Sequence, residues 1–123
     1  MKQSPTPQQR AALEAFGIAP PPTFVTCRGF LVFLKNASTH PEELAKRVAI
    51  IKDAQARFTG QPIQHMDGRS GRVRYVLYRG PAGRPPAKWK QGHRYTHPLD
   101  AWIDWDDGTA SATSINSLQI TGA

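Results

Sequence analysis

Near Pro62 the apolar residues of this 123-residue chain change their spacing, and that change limits the fold more than any other feature. Up to residue 58 they recur at threes and fours, the period of one helix face. Beyond Pro62, Val73, Tyr75 and Leu77 alternate with Arg72, Arg74, Val76 and Tyr78. That is a strand with one apolar face and one face mixing basic, aliphatic and aromatic groups. Helices followed by strands predict an α+β protein, with a helical region over residues 1–60 and a β region over 61–123.

Three helices are expected near residues 7–16, 24–35 and 41–58. For the first, Thr6 with Gln9 three residues on makes a capping box, Pro7 suits the first turn, and Gly17 supplies the stop. Pro20, Pro21 and Pro22 then hold the backbone extended and remove three amide donors. The second helix restarts after Thr23, with Cys27, Phe30, Leu31 and Leu34 at helical spacing. Gly29 costs it about 1 kcal/mol relative to alanine. Thr39 is the expected cap of the third, where Pro41, Glu42 and Glu43 load the first turn and Leu44, Val48, Ile51 and Phe58 form the apolar face.

In the β region the strand around residues 72–78 leads into a Gly-, Pro- and Lys-rich loop over 80–92. A second strand is expected over 99–105, and Asp107 with Gly108 marks a tight hairpin turn. A third strand runs over 109–115, and Ile115, Leu118 and Ile120 complete the apolar set. Trp105 and Tyr75 are expected in the core. Alternation puts Trp102 on the face opposite Trp105, where it is the more exposed of the two.

Two resemblances follow from these residues. Thr6, Gln9, Leu13, Gly17 and Ile18, then Thr23, Cys27 where alanine is usual, Leu31 and Leu34, resemble the SAP-like helix-extension-helix segments found beside bacterial and phage DNA-handling proteins. The β region, from Gly71 through Trp102 and Trp105 to Gly108 and Ile120, is similar to a small five-stranded SH3-like barrel of the Tudor or KOW sort. The first resemblance implies DNA binding. The second implies a recognition module for nucleic acid or a peptide, without catalytic activity.

Charge is segregated along the β region. Arg69 to Arg94 contains eight Arg or Lys and no carboxylate, after which Asp100, Asp104, Asp106 and Asp107 follow with no base among them. A formal charge of +7 favours a polyanionic partner, because each phosphate neutralised releases condensed counterions. Flat rings interleave with these cations, a composition suited to stacking on the bases of single-stranded or structured nucleic acid. The candidate nucleic-acid-binding set is Arg69, Arg72, Arg74, Arg79, Lys88, Trp89, Lys90, Arg94, Tyr95 and Trp102. For Trp89, between two lysines, a ligand contact and a lid over the barrel end fit equally.

Other chemistries lack their residues. A lone Cys27 excludes an internal disulfide, and on an apolar helix face it is expected as a packed thiol. His93 and His97 stand four apart in a Gly- and Pro-containing loop without a Cys or Glu close by, so no metal site is expected. Asp104, Asp106 and Asp107 do not match a calcium loop, since Gly108 falls at the fifth position instead of the sixth. No cofactor motif and no catalytic pair is present. The N-terminus lacks the apolar core of a signal peptide, and the longest apolar run, 30–34, is too short to cross a bilayer, so a cytoplasmic protein without membrane association is expected.

The function expected is therefore a non-enzymatic nucleic-acid-binding accessory protein. The alternative is a protein-interaction module, such as a phage or mobile-element inhibitor or adaptor, that engages a nucleic-acid-processing enzyme through its acidic hairpin or exposed aromatics.

Overall fold

The structure, a computed structural model, describes residues 3–78 and 99–121. Its elements are α1 (Pro7–Ala15), α2 (Phe24–Lys35), α3 (Pro41–Phe58), β1 (Pro62–His65), β2 (Ser70–Leu77), β3 (Asp100–Trp105), β4 (Ala110–Ser114), a 3-10 turn (Ile115–Ser117) and β5 (Leu118–Ile120). Caps set the helix starts. Gln9 N donates to Thr6 Oγ1 at 3.1 Å while Gln9 Oε1 accepts from Thr6 N at 3.0 Å, the capping box expected for α1. The helix ends at Ala15, one residue before the predicted end, with Phe16 as cap and Gly17 beyond it at φ 77°. Thr23 caps α2 through a similar reciprocal pair with Thr26.

α3 departs from expectation at its first residue. His40, not Thr39, occupies the cap position and makes no side-chain cap bond. Pro41 explains the shift: the residue before a proline is pushed out of helical torsions, and His40 sits at φ −127°, ψ 89°. Thr39 Oγ1 instead meets His40 Nδ1 at 3.0 Å.

The five strands form one antiparallel sheet in the order β4-β3-β2-β1-β5. Gly68 and Gly108, at φ 97° and 89°, turn the β1–β2 and β3–β4 hairpins. After β4 the 3-10 turn returns the chain to β1, where Ile63 pairs with Ile120 and His65 with Leu118. The sheet is not closed: among the described residues no backbone ladder joins β4 to β5. A side-chain contact joins β1 to β4, His65 Nε2 to Thr113 Oγ1 at 3.3 Å.

Helices and sheet bury one another. Leu13, Ile18, Phe30 and Ile51 from the helical half and Ile63, Val73, Ala101 and Ile103 from the sheet belong to one continuous core, each at most 1% exposed. The division near residue 60 is thus a change of secondary structure within a shared core. The proline run is held just before its start and at its middle residue. Gln55 of α3 accepts from Ala19 N at 3.0 Å and donates to Ala19 O at 2.6 Å, and the Cys27 thiol donates to Pro21 O at 3.2 Å. Gly29, unfavourable for helix propensity, has a packing reason. A Cβ there would run into the Tyr78 carbonyl oxygen, and its absence lets α2 approach the end of β2, where Phe33 and Tyr78 pack ring on ring at 4.6 Å.

Candidate functional site

The site is built on the β2–β3 pair, whose register assigns every side chain to a face. Gly71 pairs with Trp105, Val73 with Ile103 and Val76 with Ala101, all facing the core. Arg72 pairs with Asp104 and Tyr75 with Trp102, facing outward. Strict alternation would have put Tyr75 beside Val73. A β-bulge between Val73 and Tyr75 takes up one extra residue and reverses the phase. Val76 therefore takes the core position and Tyr75 stands half-buried on the outer face, a correction to its expected core role.

Trp105 is in the core as expected, 4% exposed, with its indole N–H donated to Ser111 Oγ at 2.8 Å. Trp102 is half-buried on the other face. Its ring lies nearly parallel to that of Tyr75, centroids 6.2 Å apart and planes 7° apart. Beside this pair Arg74 makes a two-pronged bond to Asp104, Nε to Oδ2 at 2.9 Å and a terminal nitrogen to Oδ1 at 2.6 Å. Arg72 donates to the Gly60 carbonyl at 2.6 Å. Both arginines are exposed, and fork geometry leaves guanidinium donors over.

The outer face thus brings together Arg72, Arg74 and Trp102 from the candidate set and adds Tyr75, which the sequence reading had placed inside. Arg69 does not join them. Exposed and just ahead of β2, it lies on the Trp105 side, its guanidinium 4.2 Å from the centroid of the Trp105 ring and its Nε donating to Asp67 Oδ2 at 2.8 Å. Arg79, Lys88, Trp89, Lys90, Arg94 and Tyr95 lie outside the described residues, as do His93 and His97.

The aspartates of the two turns serve the turns. Hydrogen bonds hold the carboxyl of Asp67 below the ordinary carboxylate range, the backbone N–H of Arg69 foremost. Asp107 is held low chiefly by the Thr109 hydroxyl and N–H, which donate to Oδ1 at 2.6 and 2.9 Å. Burial pushes the Cys27 thiol up, against the thiolate a nucleophile needs. Among the described residues no three His, Cys, Asp or Glu gather as a metal site, and no helix is long and apolar enough to cross a membrane.

Positive charge is unevenly spread along the sequence. The described residues carry ten Lys and Arg against nine Asp and Glu, close to neutrality. Five of the remaining six cations fall between Arg79 and Arg94, in the stretch joining β2 to β3, with no carboxylate among them. No protein-family profile, curated protein or solved structure matches this chain.

Proposed function

We propose that this chain is a non-enzymatic nucleic-acid-binding accessory protein, an SH3-like module that binds single-stranded or structured nucleic acid. The strand order β4-β3-β2-β1-β5, with a 3-10 turn before the last strand, supports the SH3-like reading. The observation that carries the function is the division of charge. Five cations follow one another from Arg79 to Arg94 with no carboxylate among them, in the stretch that joins β2 to β3, the two strands that carry the stacked Tyr75–Trp102 pair. Those five neutralise phosphates, and Arg72 and Arg74 extend the contact along the outer face. The Arg74–Asp104 pair does not oppose this. Its side chains are 58% and 45% exposed, and an ion pair so placed is weak enough for a phosphate to displace the carboxylate.

The test is oligonucleotide affinity measured across a range of salt concentrations, for wild type and for Lys88→Ala/Lys90→Ala/Arg94→Ala. Affinity falls steeply with salt in the wild type, and the variant loses affinity and shows a slope reduced by nearly the number of phosphate contacts removed. An unchanged slope removes that stretch from the site. Salt-independent binding, or none, removes nucleic acid altogether.

A second reading draws on the same ion pair. With Arg74 neutralised by Asp104, the outer face offers tyrosine, tryptophan and arginine, the residues most enriched at the centres of protein interfaces. On this reading the protein is an inhibitor or adaptor, of phage or mobile-element type, for a nucleic-acid-processing enzyme. Its mark is a partner captured from lysate that survives nuclease treatment and is lost with Asp104→Asn/Asp106→Asn.

A further inference from the structure

Between the pinned proline run and β2 lies a groove of about 440 Å3, lined on one side by Pro20, Pro21 and Pro22 and on the other by Arg74 and Tyr75, with Gln55 of α3 and Thr59 just past its end completing it. Both sides are held before any ligand arrives. Gln55 bonds both backbone groups of Ala19, and the Trp102 ring lies nearly parallel to that of Tyr75. A preformed slot loses little freedom on binding, so its contacts count nearly in full.

We infer that this groove is a stacking slot for one unpaired nucleobase, with Tyr75 as its principal binding residue and Arg74 reaching the adjoining phosphate. The inference rests on the nucleic-acid reading above and deepens it. Two features select the occupant. The lining is mostly apolar, three prolines and a phenol, which suits a planar ring. A guanidinium stands at the lip, which suits an anion joined to that ring. A nucleotide of an unpaired strand combines the two, whereas a base inside a duplex is covered on both faces by its neighbours and must first be flipped out. The slot therefore makes the protein a single-strand binder, and Tyr75, which alternation alone assigned to the core, becomes the residue that discriminates.

The experiment compares an oligo(dT) single strand with a duplex of equal length, using wild type, Tyr75→Phe, Tyr75→Ala and Tyr75→Leu. Wild type prefers the single strand. Tyr75→Phe keeps the flat face and keeps that preference. Tyr75→Ala weakens single-strand binding by roughly five-fold to a hundredfold, the range of base–aromatic stacking, with an unchanged salt slope because no charge is removed. Tyr75→Leu preserves apolar bulk, so it stays folded if Tyr75→Ala does not, and it shows the same loss; thermal melting checks both. Equal single-strand affinity for wild type, Tyr75→Leu and Tyr75→Ala, while Lys88→Ala/Lys90→Ala/Arg94→Ala still weakens binding, overturns the slot and leaves the nucleic-acid reading standing. No wild-type binding to either probe overturns both.

Discussion

The two faces of the β2–β3 pair are made from the same two strands, yet one is a packed core and the other a polar, aromatic surface. Trp105 and Trp102 express the contrast most directly. Three residues apart on one strand, the first is enclosed with its N–H satisfied by Ser111, and the second lies over Tyr75 beside an ion pair. A residue's identity thus says less about its role than the side of the sheet it occupies.

Three substitutions probe that contrast, beginning with the tryptophans. Trp105→Ala is expected to cost about 3–5 kcal/mol and to bring the protein near unfolding, because a large side chain leaves a cavity that the core cannot close. Trp102→Ala is expected to cost about 1–2 kcal/mol, from a half-buried ring and its stacking partner. Denaturant melts of the two variants give the comparison, and equal losses would erase the distinction between faces.

Gly71→Ala is expected to be comparable to Trp102→Ala. Gly71 faces Trp105 across the register, and a Cβ there would stand 2.6 Å from the Asp104 carbonyl oxygen and 2.8 Å from Ile103 Cγ2. Relieving that overlap pushes β2 away from β3, at a cost of about 1–3 kcal/mol. A variant as stable as wild type would mean that the strands have slack at this point and that the inner face is less tightly packed than its burial indicates.

The smallest effect belongs to the outer face. A double-mutant cycle with Arg74→Ala and Asp104→Ala should yield a coupling of about 0.2–1 kcal/mol, shrinking as salt is added. A coupling well above that range would place the pair in a packed environment instead of on an open surface.

Much of the helical half was legible from local chemistry. The span 24–35 follows from Thr23 and the spacing of Cys27, Phe30 and Leu34, and the span 41–58 from the loaded first turn and the apolar repeat. The Thr39 expectation missed by one residue, because the restriction Pro41 places on its predecessor outweighed the preference for a threonine cap. In the sheet, the inward Trp105 and the Gly108 turn followed from alternation and turn chemistry. Tyr75 did not. Nothing in the residues around Arg74 marks a bulge, and the error carried into the site, since alternation assigned the tyrosine of the stacked pair to the core.

The amino-acid order alone settled the three helical stretches, the caps of the first two, three of the five strands, and that the excess positive charge is concentrated in one stretch. These depend on interactions reaching at most four residues along the chain. Only the tertiary structure decided that Tyr75 turns outward, that Arg74 meets Asp104, that Gly29 makes room for the Tyr78 carbonyl, and that helices and sheet share one core. Each of these depends on which distant residues become neighbours, and a bulge in particular has no meaning until a partner strand lies alongside to define the register.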